Sequence, residues 1–191
     1  MKKSTAISLY IIGTTLLVAA LILGVQTLGW FRAAPAVVAL NTTPVAQPEQ
    51  PKIGGTPVRI TVPSRNIDLT IIQGSFNQQT GEWTLSNTNA HFATNTSVAN
   101  NKTGNTLVYG HDTVQVFKPL EQLAVGDVAY IYTDNGYKFT YRFRSAIDVP
   151  PTDTSIFSYQ GAPILTLQTC SGILSQTRHL MTFDFIEVQK I

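Results

Sequence analysis

Apolar residues recur at every second position along most of the chain beyond Val58. The alternation is clearest in four segments, at 58–62, 67–71, 137–143 and 181–185. Because successive side chains of a β-strand point to opposite faces of a sheet, this period predicts half-buried strands. The 3.6-residue period of an amphipathic helix is rare in the same part of the chain.

One pair of these segments is joined by residues that favour a tight turn. Asp134, Asn135 and Gly136 separate the apolar segments 128–133 and 137–144. All three residue types tolerate a positive φ, which the short loops of hairpins require. The two segments are therefore predicted to form an antiparallel hairpin.

Two shorter and more continuous apolar runs, at 107–109 and 164–169, are typical of central strands. Helical turns are expected at 117–123, with 87–98 as a second candidate. About eight strands with long connections and short helices predict a mainly β fold, arranged as a closed or nearly closed barrel.

A long apolar segment precedes the predicted barrel. No charged residue occurs from position 4 to 31, and residues 7–28 would span about 33 Å as a helix, enough for a hydrocarbon core of about 30 Å. Lys2 and Lys3 precede this segment and Trp30 follows it. The positive-inside rule then predicts one transmembrane helix, with a cytoplasmic N-terminus and the remaining chain outside the cell.

A cleaved signal peptide is the competing interpretation, but the apolar segment is longer than the usual apolar region of such peptides. Residues 33–57 hold five of the ten prolines, a composition that favours an extended linker. The predicted organisation is a membrane anchor at 1–32, a Pro-rich extracellular linker at 33–57 and a folded domain at 58–191. The anchor places the protein in the cell membrane as a single-pass protein in contact with lipid.

The charge distribution argues against nucleic-acid binding. Four of the 13 Lys and Arg residues and one of the 11 Asp and Glu residues precede Val58, which leaves nine basic and ten acidic residues in the predicted domain. Neutralisation of phosphates needs a concentrated basic surface. No nucleic-acid partner is therefore expected.

A single cysteine excludes an intramolecular disulfide and a thiolate-rich metal site. Cys170 lies where a predicted strand runs into a loop, a place where functional groups are often exposed. A free cysteine is commonly a small buried hydrophobic residue, and nucleophilic catalysis also needs a base or a cationic partner. The candidate bases are His91, His111 and His179, and Arg178 is the only arginine after Cys170.

Three segments carry a resemblance to a known family. They are Gly104-Asn105-Thr106-Leu107-Val108-Tyr109-Gly110-His111, then Thr166-Leu167-Gln168-Thr169-Cys170, and Arg178 on the strand that follows. The chain resembles the sortases, which are membrane-anchored cysteine transpeptidases of bacterial cell surfaces. The second segment matches the Thr-Leu-x-Thr-Cys signature of that family, and the resemblance spans about 57–191.

The resemblance implies a sortase-like barrel and a division of roles among three residues. Cys170 would attack the carbonyl carbon of a sorting-signal peptide bond, and His111 would protonate the departing amine and deprotonate the incoming one. Arg178 would hold the substrate backbone and stabilise the oxyanion. The implied partners are surface proteins with a C-terminal sorting motif and an amine acceptor of the cell wall or a pilin. No cofactor and no metal are expected.

Further residues near these segments have open roles. Thr169 would contact substrate through its hydroxyl or serve only as a β-branched strand residue, and His91 would line the groove or form a local hydrogen bond. Asp112 is a candidate to orient His111, whereas strand alternation turns His179 away from Arg178. Tyr109 departs from the family, which more often has a small residue there.

Two other functions compete with a transpeptidase. A papain-like peptidase shares the Cys and His pair but generally places its cysteine before its histidine and at a helix start. A noncatalytic exported barrel that binds wall components would bury Cys170 as an inert side chain. Accessibility of the thiol distinguishes this binding module from both enzymes.

Overall fold

Twelve β-strands and three short 3-10 helices occur in the computed structural model, which describes residues 51–77, 82–171 and 176–191. The first six strands are β1 (Gly54–Gly55), β2 (Pro57–Val62), β3 (Ile67–Gly74), β4 (Phe76–Asn77), β5 (Glu82–Trp83) and β6 (Ala90–Ala93). The last six are β7 (Ala99–Asn100), β8 (Asn105–Tyr109), β9 (Val128–Thr133), β10 (Tyr137–Val149), β11 (Ile164–Ser171) and β12 (Thr177–Lys190). The 3-10 helices are Pro63–Arg65, Lys118–Gln122 and Ser155–Phe157.

Eight of these strands close into a barrel, in the order β10-β12-β11-β8-β6-β3-β2-β9. Most neighbours are antiparallel, but β11 pairs with β8 and β6 pairs with β3 in parallel. The predicted mainly β fold and closed barrel of about eight strands are confirmed. Closure gives every barrel strand two neighbours, so that none is left as an open edge.

The barrel interior is filled by the alternating apolar residues that predicted the strands. Its largest fully buried aromatic side chains on β10 and β12 are Phe139, Tyr141 and Phe183. On β11 the inward residues are Leu165 and Leu167. Because the side-chain period of a strand is two, the residues between them face away from this core.

The predicted hairpin is confirmed with its expected bounds at the turn. β9 and β10 pair from Lys138 opposite Tyr132 onwards, and Gly136 adopts a φ of 78°. The 3-10 helix Lys118–Gln122 confirms the helical turn expected near 117–123. The second helical candidate, 87–98, was wrong, because this segment forms β6 and pairs with both β3 and β8.

A short segment before the predicted domain also packs on the barrel. β1 pairs with β7, the Ile53 amide donates to Asn101 Oδ1 at 2.9 Å, and Asn135 Nδ2 donates to the Gly54 carbonyl at 2.8 Å. Residues assigned to the linker between 53 and 57 therefore contact the fold. The division into anchor, linker and domain otherwise stays a prediction.

None of the helices among the described residues has the length and apolar character needed to cross a membrane. The predicted transmembrane helix at 7–28 lies outside the described residues.

An ion pair joins the turn before β9 to the 3-10 helix after β2. Asp127 Oδ2 accepts hydrogen bonds from the Ala124 amide at 2.9 Å and from Arg65 Nη2 at 3.0 Å, and the two charged side chains are 17% and 20% exposed. The Ala124 amide first, and then Arg65, hold the pKa of Asp127 below its usual range. The carboxylate therefore stabilises the fold above the unfolded-state pKa of about 3.9.

We expect Asp127→Asn to lower the free energy of unfolding of the full-length chain by about 1–2 kcal/mol at neutral pH. This loss should vanish as pH falls through the folded-state pKa of Asp127, because the wild-type carboxyl is then protonated too. Urea denaturation at pH 7 and pH 3 measures both effects. Asp68→Asn, which breaks an exposed pair with Arg59, is the control and should change little. A loss of the same size at pH 3 as at pH 7 would contradict the assignment.

Candidate active site

The candidate site lies on the outer face of the barrel, over strands β6, β8, β11 and β12. Since Leu165 and Leu167 point into the core, Gln168 and Cys170 lie on the opposite face of β11. On β8 the same alternation turns Val108 inward and Tyr109 outward. The thiol of Cys170 is thus separate from the barrel core and is partly exposed.

The strand register brings two of the three predicted catalytic residues side by side. Cys170 pairs directly with Arg178 across the antiparallel β11 and β12, so the two residues lie about one strand width of 4.8 Å apart. On the other side, β11 and β8 pair in parallel up to Gln168 opposite Tyr109, and the Gly110 amide donates to the Gln168 carbonyl at 3.0 Å. β8 ends at Tyr109, and His111 follows it by two residues.

A cavity of about 510 Å³ opens beside the cysteine. Cys170, Arg178 and Gln168 supply polar groups, while Trp83 and Tyr109 form an aromatic wall. His111 is half-buried and follows Gly110, which also lines this cavity. The cavity can therefore hold part of a ligand next to a thiol and a guanidinium.

A second cavity, of about 430 Å³, adjoins the first and shares Trp83, Gln168 and Arg178 with it. Its other side is formed by the connection from β10 to β11, with Ile156 and Phe157 as apolar lining. Because they share three lining residues, the two cavities form one continuous groove. Arg178 lies where the two meet.

Trp83 is a site residue that the sequence analysis missed. Its ring packs edge-on against Tyr109 with centroids 5.0 Å apart, and it stacks on Phe157 at 5.9 Å. These contacts belong to a small outer cluster that covers the sheet. A tryptophan in a short segment of polar neighbours was the available signal, but only the packing shows which face it covers.

Thr169 has its hydroxyl engaged within the protein. The side chain is 2% exposed, and Oγ1 donates to the Gly110 carbonyl at 3.0 Å. This bond ties the ends of β11 and β8 together next to Cys170 and His111. The predicted contact with substrate stays a prediction, since the hydroxyl proton is already used.

His91 is fully buried, and its ring does not line either cavity. It packs edge-on against Tyr109 with ring centroids 5.3 Å apart. Burial, and secondly the nearby His111, lower the pKa of His91, and burial raises the pKa of Tyr109 to about 12. Both side chains are therefore neutral at pH 7. A contact between His91 and substrate would require this ring to leave its position.

The remaining candidates lie apart from the thiol. His179 Nδ1 lies 2.8 Å from Asp148 Oδ1, on the face of β12 opposite to Arg178, as alternation predicted. Asp112 Oδ2 lies 3.9 Å from Lys118 Nζ, which directs that carboxylate oxygen to a lysine. Among residues 51–77, 82–171 and 176–191, no group of three or more His, Cys, Asp and Glu side chains could hold a metal ion.

We expect Thr169→Val to lower the free energy of unfolding by about 1–2 kcal/mol, because it removes a buried hydrogen bond to the Gly110 carbonyl. Thr169→Ser keeps the hydroxyl and is the matched control. Urea denaturation and peptide turnover of the full-length variants are the measurements. If Thr169→Val unfolds like the wild type and only raises KM, the hydroxyl contacts substrate instead.

Solved structures of similar fold are sortases. Listeria monocytogenes sortase A is similar at a TM-score of 0.59 and 22% identity, with 71% of this chain and 91% of that chain covered. Actinomyces oris sortase C-1 gives 0.56 and 26%, covering 68% and 73%. Streptomyces coelicolor sortase E1, solved with a tripeptide in its active site, gives 0.56 and 19%, covering 72% and 91%. A comparison with curated protein sequences found no significant match.

A family model settles the relationship at the level of sequence. The model of the sortase domain matches residues 60–183, which is more than half of the chain and includes His111, Cys170 and Arg178. The barrel, the signature around the cysteine and this match agree, and the chain belongs to the sortase family.

Proposed function

We propose that this protein is a cysteine transpeptidase that cleaves a C-terminal sorting signal of surface proteins and transfers the acyl group to an amine of the cell envelope. The observation that supports the proposal is the register of β8, β11 and β12, in which Cys170 pairs with Arg178 beside the first cavity and β8 leads into Gly110 and His111. Sortases are cysteine-based transpeptidases, so the family supports the same reaction.

In the first half of the reaction, the thiolate of Cys170 attacks the carbonyl carbon of the scissile peptide bond. The C–S bond forms as the carbonyl electrons move to oxygen, and the guanidinium of Arg178 donates to this oxyanion. Protonated His111 then gives its proton to the departing amine nitrogen as the C–N bond breaks. The product is a thioester on Cys170 and a free amine.

In the second half, an incoming amine takes the place of the leaving group. Neutral His111 accepts the proton of this amine as its nitrogen attacks the thioester carbon. The C–S bond breaks, the thiolate of Cys170 returns, and His111 is again protonated. Proton and electron pair are thus restored after each turnover, and no cofactor is needed.

The groove offers separate places for the two sides of the cleaved bond. The second cavity contains Ile156, Phe157 and Leu180 and suits apolar side chains on the acyl side of the sorting motif. The first cavity contains Cys170 and would receive the leaving group and then the acceptor amine. Arg178 between them can reach both the substrate backbone and the oxyanion.

The proposed location follows from the N-terminal sequence. One apolar span at 7–28 would anchor the protein in the cell membrane, with its N-terminus in the cytoplasm and the barrel outside. The barrel would then meet surface proteins that bear sorting motifs, together with amines of the cell wall or a pilin. Membrane lipid would contact the anchor alone.

We expect Cys170→Ala and His111→Ala each to abolish turnover of a fluorogenic sorting-motif peptide in the presence of an amine. The two losses should not add in the double variant, because nucleophile and acid act as one unit. His179→Ala, on the opposite face, is the control and should keep its activity. Mass spectrometry tests the thioester directly. The wild-type protein should gain the mass of the acyl group, and Cys170→Ala should not.

The thiol itself distinguishes an enzyme from a binding module. A small charged thiosulfonate should modify Cys170 rapidly in the folded chain, because the side chain is partly exposed in the groove. Protection of the thiol, or substantial turnover by either alanine variant, would remove the proposed mechanism.

Arg178→Lys keeps the positive charge but loses the planar guanidinium. If Arg178 donates directed hydrogen bonds to substrate and oxyanion, the ammonium should not replace it, and the loss should be about 3–4 kcal/mol, or roughly a hundredfold to a thousandfold in kcat/KM. The measurement is turnover, together with the pH dependence of Cys170 alkylation. A near-normal rate would show that Arg178 acts only by its charge.

A further inference from the structure

His91 presents an unusual combination of burial and polarity. Its side chain is fully buried, and neither Nδ1 nor Nε2 has a hydrogen-bond partner within the described part of the chain. Buried polar atoms are nearly always hydrogen-bonded, because an unpaired one has lost its water without replacement. A leucine or phenylalanine would fill this place without that cost. Both ring nitrogens of His91 therefore remain able to form a hydrogen bond.

The strand register indicates that His91 lies near His111. His91 on β6 pairs directly with Tyr109 on β8, and both side chains face outward. His111 follows Tyr109 by two residues, just beyond the end of β8, so a chain that continues in the direction of the strand brings it near the diagonal position from His91. Diagonal neighbours in antiparallel strands lie about 7–8 Å apart at Cα and are within reach of aromatic side chains.

We propose that His91 is a positioning residue for His111. One ring nitrogen of neutral His91 accepts a hydrogen bond from protonated His111, through the N–H of His111 that points away from the substrate. The inference rests on the proposed function, in which His111 carries a proton to the leaving amine. This hydrogen bond fixes the orientation of the His111 ring, so that its other N–H points towards the scissile bond. This is the part that a carboxylate plays in many triads.

The surroundings of His91 favour a neutral acceptor. On β3 the paired residue is Ile72, and a Cβ at Gly74 would meet the Cβ of His91, so this strand presents no charge to the ring. On β8 the facing group is Tyr109, which burial keeps protonated. His111 is the other ionisable ring near it, and its charge disfavours a second proton on His91. His91 is therefore available as a neutral acceptor.

Asp112 and His179 are the other candidates for this role. Asp112 adjoins His111 in sequence; its Oδ2 lies 3.9 Å from Lys118 Nζ, and its Oδ1 is buried without a hydrogen-bond partner among the described residues. The His179 ring is engaged with Asp148 on the other face of the sheet. In this proposal the third group that orients the histidine comes from β6.

The test replaces His91 in the full-length chain and follows His111 and turnover separately. In His91→Phe the edge-on contact with Tyr109 is kept and the nitrogens are lost. We expect the NMR titration of the His111 ring to move to lower pH by about half to one unit, since the charged ring loses an acceptor. We expect kcat to fall about tenfold to a hundredfold with little change in KM. His91→Asn or His91→Gln, which return an amide oxygen, should restore part of both.

Two controls keep the outcome unambiguous. His179→Phe removes a histidine from the opposite face and should leave the titration of His111 and the turnover unchanged. His91→Leu replaces His91→Phe if the larger ring prevents folding, as judged by circular dichroism. An unmoved titration of His111 in a folded variant overturns the proposal, even if kcat falls, because a purely structural role would then explain the loss. Absence of transpeptidation by the wild type would overturn the proposed function but would leave the titration result to decide the pairing.

Discussion

The hydrogen-bonded ladder of β11 with its two neighbours is the constraint on which the site depends. β11 runs parallel to β8 on one side and antiparallel to β12 on the other, so its C-terminal end meets the end of β8 and the beginning of β12. The three residues of the proposed chemistry are far apart in sequence or on separate strands. The ladder sets Cys170 and Arg178 one strand width apart, and the bond from Thr169 to the Gly110 carbonyl closes its end.

The two faces of these strands have different functions. The inner face supplies Leu165, Leu167 and Met181 to the barrel core, which stabilises the fold by apolar burial. The outer face presents Cys170 and Arg178 to the groove. Because alternate residues serve the two faces, polar groups can gather on one side without interrupting the core on the other.

The aromatic wall of the groove depends on a close fit with the neighbouring strand. Tyr109, where the family more often has a small residue, directs its hydroxyl against Gly74 of β3, and any Cβ at that position would collide with it. Trp83 packs on the other side of Tyr109, and His91 packs against its ring. Tyr109 therefore fits because residue 74 of β3 is a glycine and has no side chain. It narrows the space beside His111 and covers the buried histidine.

The sequence by itself determined the strands, the hairpin and the barrel class, because these follow from side-chain period and turn chemistry, and a short local signature made His111, Cys170 and Arg178 the candidates. It did not determine that 90–93 forms a strand, since β6 exists only through its pairing with β3 and β8. The tertiary structure alone decided that Trp83 walls the groove, that the Thr169 hydroxyl binds Gly110 and that His91 packs against Tyr109. Each of these contacts joins segments distant in sequence, and their distances are set by strand register, which no local pattern encodes.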